Sequence, residues 1–95
     1  FKSHPAPPRA TAEAVIVNDE GMHLRPATYF ATLATRTDCS VTVTTPHGVA
    51  NGKSVLELAM LAAPKGTRLA ILVEGAGCEA VLAGLITLVS SGFRG

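Results

Sequence analysis

The alternation of valine and threonine in Ser40–Thr45 (SVTVTT) limits the possible folds more than any other stretch of this chain. Successive side chains of a β-strand point to opposite faces of a sheet, so Val41 and Val43 face one side and the threonines the other. Such a strand is half-buried, and it belongs to a sheet that is covered on one face only. The rest of the chain must therefore supply helices for a single face.

Three further strands are predicted, at residues 12–17 (AEAVIV), 49–51 (VAN) and 67–73 (TRLAILV). The last of these places Leu69, Ile71 and Val73 on one face. The turn sequence Pro46-His47-Gly48 lies between the second and third strands, so these two strands are expected to form a hairpin. His47 is then an exposed residue at the hairpin tip, without a chemical role.

Three helices are predicted, at residues 26–35, from Ser54 to a stop at Pro64, and at residues 78–90. The first follows the turn 18–21 (NDEG) and has apolar residues at the spacing of an amphipathic helix, namely Ala27, Phe30, Ala31 and Ala34. At the start of the second, Ser54 and Glu57 match a capping box. In this motif the serine accepts from the N–H of Glu57, and the glutamate bonds back to the N–H of Ser54.

The element order βαββαβα predicts an α+β fold, in which one four-stranded sheet carries all three helices on one face. The chain of 95 residues is long enough for one hydrophobic core. Its first segment (FKSHPAPPRAT) contains three prolines and little that could pack. We therefore divide the chain into a flexible arm, residues 1–11, and one domain, residues 12–95.

Composition excludes several classes of protein. The formal net charge of +1, one tyrosine and three phenylalanines provide neither a basic patch nor a base-stacking platform, so nucleic acid is not an expected partner. No apolar run reaches the roughly 18 residues of a membrane span, and the N-terminal segment has no apolar signal-peptide stretch. We therefore expect a cytoplasmic chain without membrane insertion.

The potential metal ligands are scattered along the chain. Cys39 and Cys78 have neither metal-ligand spacing nor the number required for a disulfide framework, and the three histidines lie in an arm, at a helix entry and at a hairpin tip. We predict no metal and no cofactor, and we interpret both cysteines as buried free thiols of a protein in a reducing compartment.

The stretch 21–27 (GMHLRPA) places a histidine and an arginine at the start of the first predicted helix. A helix N-terminus offers unpaired N–H groups and a partial positive charge, which bind phosphate and disfavour an imidazolium ion. His23 could then act as a neutral nucleophile, and Arg25 could neutralise a transferring phosphoryl group. On spacing alone, a helix-entry histidine and a solvated arginine explain the residues slightly better.

The stretch 48–54 (GVANGKS) imitates a phosphate-binding loop, but three residues separate its glycines where that motif has four. We therefore expect no nucleotide site, and no hydrolase motif accompanies the serines. Ser54 has a sufficient structural role as a helix cap. Phosphorylation of this hydroxyl, with Lys53 beside it, is the alternative.

Together, GMHLRPA and 51–58 (NGKSVLEL) resemble the two signatures of HPr, the histidine-containing phosphocarrier of the bacterial sugar phosphotransferase system. The resemblance extends from about residue 12 to residue 93. It implies an open-faced β-sandwich in which a four-stranded antiparallel sheet of order 1-4-2-3 carries three helices on one face. It further implies that His23 is phosphorylated on Nδ1, that Arg25 and helix N–H groups near Thr28 steady the phosphoryl group, and that Ser54 is a regulatory site.

The resemblance also implies partners. A monomeric carrier, not an enzyme, would receive phosphate from enzyme I at the expense of phosphoenolpyruvate and pass it to sugar-specific IIA proteins. An HPr serine kinase/phosphorylase would act on Ser54. The implied partner contacts are Thr28, Val55, Leu56 and Ala59.

Three residues depart from the pattern of the family, namely Glu20, Leu24 and Ala59. Glu20 adds a carboxylate near the histidine, Leu24 stands where a small residue is commoner, and Ala59 is smaller than in some members. Two other functions stay open. The chain could be a mainly regulatory module that acts through phospho-Ser54, or a domain of a larger phosphotransferase chain.

Overall fold

The computed structural model describes residues 7–93 and confirms the predicted order of elements. The strands are β1 (Arg9–Val15), β2 (Ser40–Thr45), β3 (Gly48–Asn51) and β4 (Arg68–Glu74). The helices are α1 (Leu24–Thr35), α2 (Val55–Met60) and α3 (Cys78–Ser90). All strand pairs are antiparallel and the sheet order is β1-β4-β2-β3, so the α+β class and the implied order 1-4-2-3 are confirmed.

The core lies between the helices and one face of the sheet. On this face Ile71 of β4 stands between Ala12 of β1 and Val43 of β2, and α3 packs across β1 and β4. The apolar stripe predicted for α1 is buried throughout. Burying a large side chain such as Phe30 contributes roughly 1.5–3 kcal/mol, so this stripe fixes the orientation of α1 on the sheet.

β1 begins earlier than the strand predicted at residues 12–17, and it includes three residues that we had assigned to the arm. Arg9 pairs with Glu74, so Arg9–Thr11 belong to the sheet, and the strand ends at Val15. The edge of β4 satisfies the backbone of these residues whatever their side chains are. The remainder of the predicted arm includes residues 1–6, which lie outside the described part.

α1 also begins earlier than predicted, at Leu24 and not at Pro26. Proline is accepted at the third helical position because N–H groups of the first turn have no intrahelical acceptor. α2 is shorter than predicted, since Leu61 caps it and Ala62 has a φ of +49°. The chain therefore leaves α2 before Pro64 is reached.

Both cysteines are buried and free, as predicted. The thiol of Cys39 donates to the carbonyl of Ala76 at 3.2 Å, and Cys78 opens α3. Within residues 7–93, no helix is long and apolar enough to cross a membrane.

Candidate functional site

His23 lies at the end of the connection between β1 and α1, on the surface of the domain. Its neighbour Met22 is 1% exposed and anchors the connection in the core, whereas His23 itself is exposed. His23 is the N-cap of α1, with φ −87° and ψ −173°, and its side chain makes no capping hydrogen bond. The ring is therefore accessible and is not used to stabilise the helix.

The connection that presents His23 is held against the segment after α2. The N–H of Met22 donates to the carbonyl of Ala63 at 2.8 Å, and Gly21 adopts a φ of +72°. A Cβ atom on Gly21 would overlap that same carbonyl oxygen. This close backbone contact explains the glycine, and it places His23 near the exit of α2.

A surface ion pair adds a second link between the same two segments. Lys65 Nζ donates to Asp19 Oδ1 at 2.9 Å. This hydrogen bond, together with the charge of the ammonium group, lowers the pKa of the Asp19 carboxyl below its ordinary value. The pair is exposed to solvent, so it contributes little to stability.

The first turn of α1 can receive an anion beside His23. The N–H groups of Leu24 and Arg25 have no acceptor within the helix, and the first helical bond runs from the N–H of Ala27 to the carbonyl of His23 at 2.9 Å. The turn contains no acidic residue, and Arg25 is exposed. The arrangement therefore offers two backbone donors and one guanidinium group to a phosphoryl group on His23.

The earlier start of α1 corrects one expectation about this turn. The N–H groups without helical acceptors belong to Leu24 and Arg25, and Thr28 lies in the following turn. The hydroxyl of Thr28 donates to the carbonyl of Leu24 at 2.8 Å. Thr28 is exposed on the flank of the helix and contributes no free N–H group to the site.

Ser54 caps α2, but only half of the predicted capping box is present. Its hydroxyl accepts from the N–H of Glu57 at 3.1 Å. The carboxylate of Glu57 accepts from the N–H of Asn51 at 2.8 Å, whereas the N–H of Ser54 donates to the carbonyl of Asn51. Asn51 therefore replaces Ser54 as the second partner in the motif.

The ammonium group of Lys53, which was expected beside Ser54, bonds to a different segment. Lys53 Nζ donates to the carbonyl of Thr37 at 2.8 Å, just beyond the last turn of α1. A cation near the carboxyl end of a helix is favourable, so Lys53 ties α1 to the loop before α2. Sequence spacing could not show this contact, because the two segments are distant in the chain.

The first two helices carry exposed apolar side chains. Leu24 is 67% exposed, Leu56 69% and Met60 73%. Of the four predicted contact residues, Thr28 and Leu56 are exposed, whereas Val55 and Ala59 are half-buried against the core. Met60, one turn after Leu56, is a further exposed apolar residue that the sequence analysis did not name.

The other predicted residues have no part in this site. His47 is exposed in the β2–β3 turn, as predicted, and His4 falls outside the described residues. No group of three histidine, cysteine or acidic side chains in residues 7–93 could hold a metal ion. The candidate site within the described residues is therefore centred on the turn around His23.

Comparison with known proteins decides the family. Residues 10–91 match the family described as "PTS HPr component phosphorylation site". The chain belongs to the HPr family of the phosphotransferase system. It is 38% identical over 82 residues to phosphocarrier protein HPr of Pseudomonas aeruginosa, an alignment that covers 85% of this chain and 91% of that protein.

Two further relatives show the range of the family. The multiphosphoryl transfer protein of Escherichia coli O157:H7 is 32% identical over 85 residues, which cover 86% of this chain and 23% of that longer protein. The crystal structure of HPr-C-His from Thermoanaerobacter tengcongensis superposes with a TM-score of 0.83 at 26% identity, over 88% of this chain and 94% of that one. The chain is thus a phosphocarrier of the phosphotransferase system and not itself a catalytic enzyme.

Proposed function

We propose that His23 carries the phosphoryl group, on Nδ1, between enzyme I and sugar-specific IIA proteins. One observation supports this most directly. His23 is an exposed N-cap whose ring makes no bond to its helix, beside the backbone donors of Leu24 and Arg25. A carrier requires this combination, because both donor and acceptor proteins must reach the same nitrogen.

Transfer to His23 would proceed by in-line displacement. The lone pair of Nδ1 forms the new N–P bond while the bond from phosphorus to the donor atom breaks, and its electron pair stays with the donor. Charge on the phosphoryl oxygens faces the Arg25 guanidinium and the N–H groups of the first turn. The reverse displacement on a IIA protein uses the same groups, so these must bind the phosphoryl group without trapping it.

The test of this function is phosphoryl uptake from labelled phosphoenolpyruvate in the presence of purified enzyme I. We expect one acid-labile phosphoryl group per chain, and none when enzyme I is omitted. A phosphoramidate is labile in acid because its nitrogen leaves easily once it is protonated. Failure to incorporate phosphate, or incorporation that survives acid, would contradict the proposal.

The docking surface for these partners would comprise Thr28, Val55, Leu56 and Ala59, with the exposed Leu24 and Met60 beside them. We expect Leu56→Ser to raise KM for phosphorylation by enzyme I about tenfold, because the complex loses the burial of a leucine side chain.

A matched control for this surface is Val49→Ser, on the sheet face opposite the helices, where Val49 is 64% exposed. This variant should keep the wild-type KM. Equal changes of KM in Leu56→Ser and Val49→Ser would show that Leu56 does not contribute to docking.

Ser54 would be the target of an HPr serine kinase/phosphorylase. A phosphate there adds about two negative charges at the edge of the docking surface, so we expect slower transfer without a change of fold. Ser54→Asp imitates part of this charge and keeps a good helix cap, whereas Ser54→Ala loses the bond to Glu57, at about 1 kcal/mol of stability.

The two variants separate charge from folding. Transfer by Ser54→Asp should be several-fold slower than wild type at low salt and recover as ionic strength rises, whereas Ser54→Ala should transfer at the wild-type rate. A wild-type rate for Ser54→Asp at low salt would contradict the regulatory role.

A further inference from the structure

The side chain of Asn18 closes the turn that leads to His23. Its Nδ2 group donates to the carbonyl of Gly21 at 2.9 Å, and the N–H of Gly21 donates to the carbonyl of Asn18 at 3.2 Å. Both the N–H and the carbonyl of Gly21 are therefore hydrogen-bonded to Asn18, which stabilises the turn. The site described above does not use Asn18, and the sequence motifs assign it no role beyond turn formation.

The hydrogen bond from Asn18 is one of two that hold the same peptide unit in place. The carbonyl of Gly21 and the N–H of Met22 belong to the same peptide plane. Asn18 holds the carbonyl, and the carbonyl of Ala63 accepts from the N–H at 2.8 Å. Because this plane is held at both ends, its orientation is fixed one residue before His23.

The other end of the Asn18 amide is unsatisfied. Its Oδ1 atom is buried and has no hydrogen-bond partner within the described part of the chain. A buried unpaired acceptor costs free energy, which offsets the gain from the Nδ2 bond. The amide should therefore add little to global stability, and its main effect is on the geometry of the peptide before His23.

From this geometry we propose that Asn18 is a positioning residue for phosphoryl transfer, an inference that rests on the proposed role of His23. It orients the Gly21–Met22 peptide, and so the direction in which the imidazole leaves the surface beside the first turn of α1. In-line displacement is sensitive to such placement, because a misplacement of about 1 Å can slow a reaction about a hundredfold.

The test compares Asn18→Ala and Asn18→Asp with wild type in phosphorylation by enzyme I. We expect kcat/KM to fall about tenfold for the alanine variant, with the melting temperature nearly unchanged. For the aspartate variant we expect a larger fall in kcat/KM at neutral pH, since an ionised carboxylate would face the Gly21 carbonyl in place of a donor.

A matched control lies at the other end of α1. The Thr37 hydroxyl donates to the carbonyl of Ala34 at 3.1 Å and accepts from the N–H of Cys39 at 3.3 Å. Thr37→Ala therefore removes similar local bonds far from His23, and it should transfer at the wild-type rate. If Asn18→Ala also transferred at that rate, or lost rate only in step with its melting temperature as Thr37→Ala did, the proposal would be overturned.

Hydrogen exchange separates this proposal from the one it rests on. Amide exchange at Met22 should accelerate at least several-fold in Asn18→Ala, because its peptide has lost one of two restraints. Unchanged exchange at Met22 would overturn the positioning role even if His23 is the phosphorylated residue. Uptake of acid-labile phosphate by His23→Ala would instead refute the proposed function, whatever the exchange rate shows.

Discussion

Replacing His23 with alanine should abolish the uptake of acid-labile phosphate from enzyme I and phosphoenolpyruvate. Nδ1 of this residue would form the covalent bond itself, so the loss should be complete within detection, whereas loss of a charge-stabilising group costs about 10²–10³-fold. Scintillation counting of the labelled chain after acid and neutral treatment measures the result.

The fold should tolerate this change, which makes the experiment interpretable. The side chain of His23 is exposed and makes no capping bond, so the melting temperature of His23→Ala should match wild type. His47→Ala is the matched control, because His47 is also exposed but lies in the β2–β3 turn. Acid-labile phosphate on His23→Ala, or its loss from His47→Ala, would reject the assignment.

Replacing Gly21 with alanine should destabilise the fold strongly. The φ of +72° is unfavourable for alanine, and the added Cβ would overlap the backbone oxygen of Ala63, which cannot rotate away. Together these terms should cost about 3 kcal/mol. For a domain of this size we expect a fall in melting temperature of roughly 15 °C.

Gly66 separates the two causes of that loss. It also has a positive φ, of +91°, but a Cβ there would meet no atom within 4 Å. Gly66→Ala should therefore lose only the conformational term, about 1 kcal/mol. Urea unfolding of both variants measures the difference in their free energies of unfolding. Equal losses of stability would show that the overlap with the Ala63 carbonyl does not contribute to the effect of Gly21→Ala.

The sequence alone determined the elements whose side chains repeat with the period of their own structure. The alternating valines predicted β2, and the apolar stripe from Ala27 to Ala34 predicted the buried face of α1. The turn around His23 was recognisable as well, because its residue types and their spacing are local properties. The family signatures then indicated the chemistry before any contact was known.

Tertiary structure decided the bonds that join segments distant in the chain. Glu57 bonds to Asn51 and not to Ser54, and Lys53 reaches Thr37 at the end of α1. β1 extends back to Arg9 because the edge of β4 is there to receive it. Such a hydrogen bond forms only where a donor and an acceptor are close in space. The periodicity of one segment does not show which other segment packs against it.

The site around His23 combines both kinds of determination. Its chemical groups stand within a few residues of one another, so the sequence was sufficient to predict them. The direction of the imidazole depends on Asn18 and Ala63, whose grip on one peptide plane follows from the packing of the β1–α1 connection against the segment after α2. The local sequence therefore indicated His23 as the residue that we propose carries the phosphoryl group, and the folded chain decides how that residue is presented.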